Sequence, residues 1–127
     1  MEKFGFERHK RLLTAADYSA VFEKNRSFKD RNFLILVKKR PPLDHEQALS
    51  SVPRLGLAVS KKNFKKAVDR NLIKRIIRES FRLQQDALSE LDIVVMSRGT
   101  TNVDNKAALH ASLSRHWKQI IETCEQS

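Results

Sequence analysis

The residues with the clearest chemical potential in this 127-residue chain are the cations of residues 61–82. That segment holds nine lysines and arginines against two acids, Asp69 and Glu79. Its excess of seven positive charges is most of the formal net charge of +10 that the whole chain carries. Closely spaced cations attract polyanions, so the chemistry that this segment favours is electrostatic recognition of phosphates.

From residue 67 onward the same segment predicts an amphipathic helix with a buried apolar face. Two adjacent rows at i, i+4 spacing form that face: Val68, Leu72, Ile76 and Ile73, Ile77, Phe81. At about 100° per residue, the opposite side gathers four cations and one amide within an arc of roughly 100°. This cationic arc consists of Asn71, Lys74, Arg75, Arg78 and Arg82. Because like charges repel, the arc favours a nucleic-acid partner over a merely solvated face or an acidic membrane surface.

The sequence lacks the motifs of a self-sufficient enzyme. Its three glycines, at positions 5, 56 and 99, form no phosphate-binding loop. Its one cysteine, Cys124, belongs to no cysteine–histidine cluster that would hold zinc. No pair of carboxylates lies among the cations in the pattern that two catalytic metals need. We therefore predict a polypeptide that binds RNA or DNA and has no catalytic residues and no metal site of its own.

Length and composition favour one RNA-binding domain over residues 1–127. No apolar run is long enough to span a membrane, and no secretory signal with an apolar middle is present. A single cysteine fits a reducing compartment. We predict a cytoplasmic protein with no membrane contact and no obligate protein partner.

The remaining elements predict an α+β sandwich, a small mixed sheet packed with about three helices. The first predicted helix covers residues 14–24, the basic helix runs to about residue 88, and a last helix starts near residue 104. Strands are predicted at residues 27–39, 54–60 and 92–98. Residues 1–12 are predicted to be a flexible basic arm, and residues 41–53 an exposed loop. In the last helix, spacing predicts a core stripe: Leu109, Leu113, Trp117, Ile120, Ile121 and Cys124. His110 and His116 are predicted to lie at the surface or its boundary.

An aromatic pair in the first predicted helix has two interpretations. Tyr18 and Phe22 are four residues apart and therefore share a helix face. Their rings can pack in the core, or they can line a cleft and stack on unpaired bases. The residues alone leave both interpretations open.

The central segment resembles the signature of the protein component of bacterial ribonuclease P. The matching residues are RNLIKR at 70–75 and RESFR at 78–82. The stretch GLAVSKK at 56–62 resembles the second strand of that family, while DYSAVF at 17–22 and RNF at 31–33 resemble its first helix and first strand. The resemblance spans roughly residues 8–122. Leu36 stands where some relatives carry an aromatic, and residues 63–66 replace a glycine-containing turn.

The resemblance implies a protein subunit of a ribonucleoprotein whose RNA subunit is the catalyst. Such a particle removes the 5′ leader from precursor tRNA, with Mg²⁺ held mainly by the RNA. The implied partners are therefore the catalytic RNA and precursor tRNA. The implied fold is an α-β sandwich with a left-handed β-α-β crossover, although handedness statistics alone predict a right-handed one. The alternatives are a structural ribosomal or ribosome-assembly protein and, less favoured, a protein-only nuclease.

The resemblance also implies two RNA-binding sites. One binds the catalytic RNA through Lys65, Lys66, Arg70, Asn71, Lys74, Arg75, Arg78 and Arg82. The other is a cleft between the first helix and the sheet that holds the precursor-tRNA leader through Tyr18, Phe22, Arg31, Phe33 and Lys61.

Overall fold

The computed structural model describes residues 15–23, 25–39, 53–88 and 91–125. Within these ranges, three helices pack on one four-stranded sheet. In chain order the elements are α1 (Ala15–Glu23), β1 (Arg26–Lys29), β2 (Phe33–Lys39), β3 (Arg54–Ala58), α2 (Ala67–Arg82), a 3-10 turn (Asp86–Leu88), β4 (Leu91–Ser97) and α3 (Lys106–Glu125). The predicted basic arm and, except for the buried Pro53, the predicted loop over residues 41–53 lie outside the described residues.

The sheet is mixed, with strand order β1-β2-β4-β3. β2 pairs antiparallel with both β1 and β4. β3 pairs parallel with β4, so α2 is the connection of a β-α-β unit. The predicted α+β class, the mixed sheet and the three helices are confirmed. The left-handed sense of the crossover stays a prediction.

The prediction of one strand over residues 27–39 is wrong, because a tight turn divides it. The carboxylate of Asp30 accepts hydrogen bonds from the backbone N–H groups of Asn32 and Phe33, both at 2.9 Å. The backbone N–H of Asp30 donates to the Phe33 carbonyl at 3.0 Å. Aspartate and asparagine favour such turns because their side chains bond to nearby backbone groups. The sheet therefore has four strands, with Phe28 opposite Ile35 in the added pair.

The two faces of the sheet are covered by different helices. Because side chains alternate along a strand, Phe33, Ile35 and Val37 point to one face and Leu34 and Leu36 to the other. The first face forms the larger core with α2 and α3; its fully buried members include Phe33, Ile35, Leu55, Ile73, Ile77, Phe81, Ile93, Val95, Leu109, Leu113, Trp117 and Ile120. The second face forms a smaller cluster with α1, through Val21, Leu36 and Val94.

Three further predictions need correction. Val68 is 68% exposed rather than buried, because it lies about 60° from Asn71 around the helix axis, closer to the cationic arc than to the buried row. His116 is only 4% exposed, because it continues the i, i+3, i+4 pattern of the α3 stripe. The basic helix ends at Arg82 and not near residue 88.

Candidate nucleic-acid interface

α2 presents the cationic arc on the side opposite its buried face. Its buried residues are Ile73, Ile76, Ile77, Ser80 and Phe81. Asn71 and Arg75 are exposed, while Lys74, Arg78 and Arg82 are partly buried. A side chain with a long aliphatic stem can rest that stem on the protein and keep its charge in water. The structure therefore brings the predicted arc together on one accessible helix face.

The back of α2 is fastened to α3 by a buried polar contact. The indole Nε1 of Trp117 donates a hydrogen bond to the Ser80 hydroxyl at 2.7 Å. The rings of Trp117 and Phe81 meet edge to face, with centroids 6.0 Å apart and an interplanar angle of 67°. Such a buried pair fixes the rotation of one helix against the other. The direction in which the arc faces is thereby fixed as well.

The turn that precedes α2 is organised by Ser60. Its hydroxyl accepts hydrogen bonds from the backbone N–H groups of Lys62 at 3.0 Å and Asn63 at 3.4 Å. Its carbonyl accepts one from the N–H of Phe64 at 3.0 Å, and the Phe64 ring is buried in the larger core. Lys61 and Lys62 remain exposed. The anchored aromatic thus holds a lysine-bearing turn against the core.

Part of the Arg70 guanidinium, in the predicted catalytic-RNA site, already has protein partners. Its Nη1 donates to the carbonyl oxygens of Phe64 at 2.7 Å and Lys65 at 3.0 Å. Arg70 therefore ties the end of the turn to the first turn of α2. Its predicted RNA contact is compatible with this geometry, since a guanidinium has five donors.

The start of α2 is electrostatically suited to an anion. A helix N-terminus carries partial positive charge from its unsatisfied N–H groups, which disfavours cations and favours phosphates. Here the exposed Lys65 and Lys66 precede that end, and Lys66 gives no side-chain cap. Asp69 is the one acid in the first turn. A bound phosphate would relieve the repulsion among these positive groups.

α1 places one exposed aromatic ring beside an anchored residue. Val21 is fully buried against the second face of the sheet, where Leu34 and Met96 are partly buried. The next residue, Phe22, keeps 49% of its surface exposed. The Asn25 side chain closes the helix by donating to the carbonyls of Val21 at 2.7 Å and Phe22 at 3.3 Å. About half of the Phe22 surface is therefore accessible to a stacking base, whereas the side chain of Tyr18 lies outside the described residues.

Phe33 cannot line the predicted leader cleft. It is fully buried and belongs to the larger core with α2 and α3. α1 covers the other face, where Leu34 and Leu36 point. The prediction that Phe33 contacts the leader is wrong, because the alternation of β2 turns its ring away from α1.

Arg31 is exposed in the β1–β2 turn and lines an open polar pocket of about 450 Å³. The pocket lies between this turn and the loop that joins β4 to α3, and its walls are Arg31, Asn32, Thr100, Thr101, Asn102, Asn105 and Ala108. Sequence reasoning missed all of these except Arg31. The turn-forming pair Asp30 and Asn32, on either side of Arg31, was the signal that could have located them.

Asp30 has a strongly perturbed acidity. Burial by itself would raise the pKa of this carboxyl group. Hydrogen bonds from the Ser112 hydroxyl and from the backbone N–H groups of Phe33 and Asn32, together with the nearby imidazole of His116, outweigh it and lower the pKa from 3.8 to about 2. Asp30 is therefore ionised across the neutral range, and its negative charge is held at the base of the turn that carries Arg31.

Within the described ranges, no three histidine, cysteine, aspartate or glutamate side chains come together as metal ligands would. In the same part of the chain, no helix combines the length and the apolar character that crossing a membrane requires.

A family model described as Ribonuclease P matches residues 6–121. The chain belongs to the ribonuclease P protein family. The Ribonuclease P protein component of Chromohalobacter salexigens is 44% identical over 120 residues, which cover 94% of this chain and 88% of that protein. The component of Pseudomonas aeruginosa strain PAO1 is 41% identical over 116 residues, which cover 91% of this chain and 81% of that protein.

Solved ribonuclease P proteins share the fold. The Staphylococcus aureus protein superposes with a TM-score of 0.70 at 32% identity, covering 87% of this chain and 93% of that one. The Thermotoga maritima protein gives a TM-score of 0.69 at 26% identity, covering 87% and 96%. These likenesses confirm the predicted family and α+β sandwich. A ribonuclease P protein is one component of an endoribonuclease, and its partner is the RNA subunit.

Proposed function

We propose that the chain is the non-catalytic protein subunit of ribonuclease P in the cytoplasm. In this proposal the cationic arc and the turn before it bind the catalytic RNA. The side of the sheet covered by α1 holds the 5′ leader of precursor tRNA. The observation that carries the proposal is the cationic arc itself, a row of cations on the accessible face of a helix whose back is fixed in the core.

The arc supports this role through electrostatics. Two RNAs repel each other through their phosphates, and a cationic protein surface between them lowers that repulsion. Asn71 and Arg75 are the exposed members of the arc, so they can contact the RNA backbone without any change in the fold. Arginine suits this task because its planar guanidinium pairs with phosphate in two-point geometry.

The α1 side supports leader binding through Phe22. A base that stacks on an aromatic ring contributes roughly 1–3 kcal/mol and needs no particular sequence. Lys61 and Arg31, both exposed at the end of the sheet where β3 ends and β2 begins, would contact the phosphates of the same strand. Mature tRNA lacks the leader, so these contacts would favour precursor over product.

The chemistry of cleavage belongs to the RNA in this proposal. Mg²⁺, which the reaction requires, is expected to be held mainly by the RNA, and the described protein residues offer no acidic cluster that fits it. The residues of the chain bind and orient; none of them is assigned a role in the attack on the phosphodiester.

Reconstitution tests the proposal. The purified protein, freed of RNA, would be mixed with the catalytic ribonuclease P RNA of Pseudomonas aeruginosa and a precursor tRNA labelled at its 5′ end, at limiting Mg²⁺. We expect rapid release of the leader only when both components are present, with a mature 5′ end. Cleavage by the protein alone, or no stimulation of the RNA, would contradict the proposal.

A second arm separates this function from ribosome assembly. The affinity of the protein for the catalytic RNA would be compared with that for a ribosomal RNA fragment of equal length, across a salt titration. We expect a clear preference for the catalytic RNA at physiological ionic strength, where non-specific binding is weak. Equal affinity for both RNAs would favour the assembly function.

A further inference from the structure

The β1–β2 turn is held from two directions by the carboxylate of Asp30. One direction is local: the bonds to the backbone N–H groups of Asn32 and Phe33 close the turn. The other reaches α3. There the carboxylate accepts a hydrogen bond from the Ser112 hydroxyl. The Asp30 carboxylate also lies 3.4 Å from Arg115 Nη2 and 3.3 Å from His116 Nε2.

The carbonyl oxygens of the turn are held as well. Those of Asp30, Arg31 and Asn32 accept hydrogen bonds from the side chains of Arg98, Thr100 and Thr101, respectively. All three donors belong to the segment that follows β4. Hairpin turns at a surface usually leave such groups to water and are mobile. This turn has a backbone fixed at each of its three residues.

The fixed backbone of this turn carries the exposed side chain of Arg31. This side chain lies at the wall of the polar pocket described above, and no acid is among the described residues that line this pocket. A ligand that binds to a rigid backbone loses less free energy in ordering the site than one that binds to a mobile loop. A fixed arginine beside hydroxyl and amide groups suits an oxyanion, since arginine pairs strongly with phosphate.

We propose that Asp30 is a positioning residue for RNA binding: by anchoring the β1–β2 turn to α3, it holds Arg31 at the polar pocket, where the guanidinium contacts a phosphate of the precursor-tRNA leader. This inference rests on the proposed function, in which Arg31 contacts the leader. Asp30 itself touches no RNA. Its carboxylate is occupied by the turn and by α3, so it acts through the geometry of Arg31 alone.

A double-mutant cycle tests the inference in the reconstituted particle. The variants are Asp30→Asn, Arg31→Gln and the two combined, and the measurement is the dissociation constant for precursor and for mature tRNA. The amide in Asp30→Asn keeps an oxygen for the backbone N–H groups but loses the charge that faces Arg115 and His116. We expect each single variant to reduce the preference for precursor by about tenfold. Because Asp30 acts through Arg31, the double variant should match Arg31→Gln and not multiply the two losses.

Two further variants guard against a purely structural effect. Ser112→Ala removes the α3 bond to the Asp30 carboxylate but leaves the turn itself intact, and it should reduce the precursor preference in the same direction as Asp30→Asn. Ser80→Ala removes a bond between α2 and α3 that does not involve the Asp30 carboxylate, and it should leave the preference unchanged. All affinities would be measured well below the melting temperature of each variant.

The outcomes distinguish failure of the positioning role of Asp30 from failure of the proposed ribonuclease P function. Equal losses of precursor and mature tRNA binding in Asp30→Asn, or losses that multiply in the double variant, would overturn the positioning role. An unchanged preference in Arg31→Gln would overturn it too, while leaving ribonuclease P function intact. If the wild-type particle neither cleaves nor prefers precursor, the proposed function itself fails.

Discussion

Phe22 and Phe33 lie on opposite sides of the sheet, although the family resemblance assigned both rings to one leader cleft. Phe33 is fully buried between β2 and the two long helices. Phe22 lies on α1, which covers the other face, and half of its surface reaches solvent. Only Phe22 can stack on RNA without disrupting the core, so the two residues form a matched pair for experiment.

Phe22→Ala and Phe33→Ala should therefore fail in different ways. Losing one stacked base weakens precursor binding by roughly 1–3 kcal/mol, while mature tRNA binding and the melting temperature stay near wild type. Emptying a buried phenylalanine site lowers the free energy of unfolding by about 3–5 kcal/mol. Phe33→Ala should accordingly melt far earlier and show no selective loss of precursor. The measurements are thermal melts and both tRNA affinities. Equal weakening toward the two tRNAs in a well-folded Phe22→Ala would remove Phe22 from the leader site.

The periodicity of apolar residues predicted most of the fold, because their spacing along a long helix identifies the face that is buried. The stripe from Leu109 to Ile120 and the row through Ile73 and Ile77 are buried as their spacing requires. It failed where a position depends on what packs beside it. Val68 continues an apolar row in sequence, yet that row turns gradually toward solvent at the first turn of α2.

The candidate site was less accessible to sequence reasoning than the fold. The cationic arc needs only helical geometry, and the structure assembles it on one face. Whether Phe33 faces α1 depends on which side of the sheet α1 covers, and no local sequence pattern contains that information. The network around Asp30 joins residues more than 60 positions apart, so it becomes visible only in three dimensions.

Arg70→Ala and Arg75→Ala should separate RNA contact from structural support. Arg75 is exposed on the arc, so its loss should change stability by no more than about 0.5 kcal/mol while lowering affinity for the catalytic RNA. Arg70 also bonds to the carbonyls of Phe64 and Lys65, so its loss should additionally destabilise the protein, by about 1 kcal/mol. Urea unfolding and RNA titration would be run on both. Equal stability of the two variants would show that the Arg70 bonds contribute nothing.

Ser80→Ala should destabilise the protein without removing any residue of the arc. The change leaves the buried indole N–H of Trp117 without its acceptor, which costs about 1–3 kcal/mol. Trp117→Phe in the Ser80→Ala background removes the orphaned donor, so the interaction energy in this cycle isolates the hydrogen bond. Chemical denaturation measures Ser80→Ala, Trp117→Phe and the double variant. Additive losses would indicate that the bond between α2 and α3 is energetically neutral.

The last prediction concerns acid. The pKa of Asp30 is about 2 in the folded protein against 3.8 for the unperturbed group, so the native state binds this proton less readily than the unfolded chain does. Stability from the charged carboxylate is therefore complete above about pH 5 and is lost as the pH falls through 3.8 toward 2. Because 24% of the Asp30 side chain still reaches solvent, which screens its interactions, we expect this stability to amount to roughly 1–2 kcal/mol.

Many carboxylates titrate in that range, so the comparison must isolate one of them. The free energy of unfolding would be measured by urea denaturation between about pH 6 and pH 2.5 for wild type, for Asp30→Asn and for Asp104→Asn. Asp104 is exposed and serves as the matched control. The difference in the free energy of unfolding between wild type and Asp30→Asn should shrink by roughly 1–2 kcal/mol as the pH falls through this range. The reason is that protonated Asp30 interacts with Ser112 and His116 no more strongly than an amide does. The difference in the free energy of unfolding between wild type and Asp104→Asn should change little with pH. A constant difference for Asp30→Asn would mean that the carboxylate is not held in its charged form by the turn and α3.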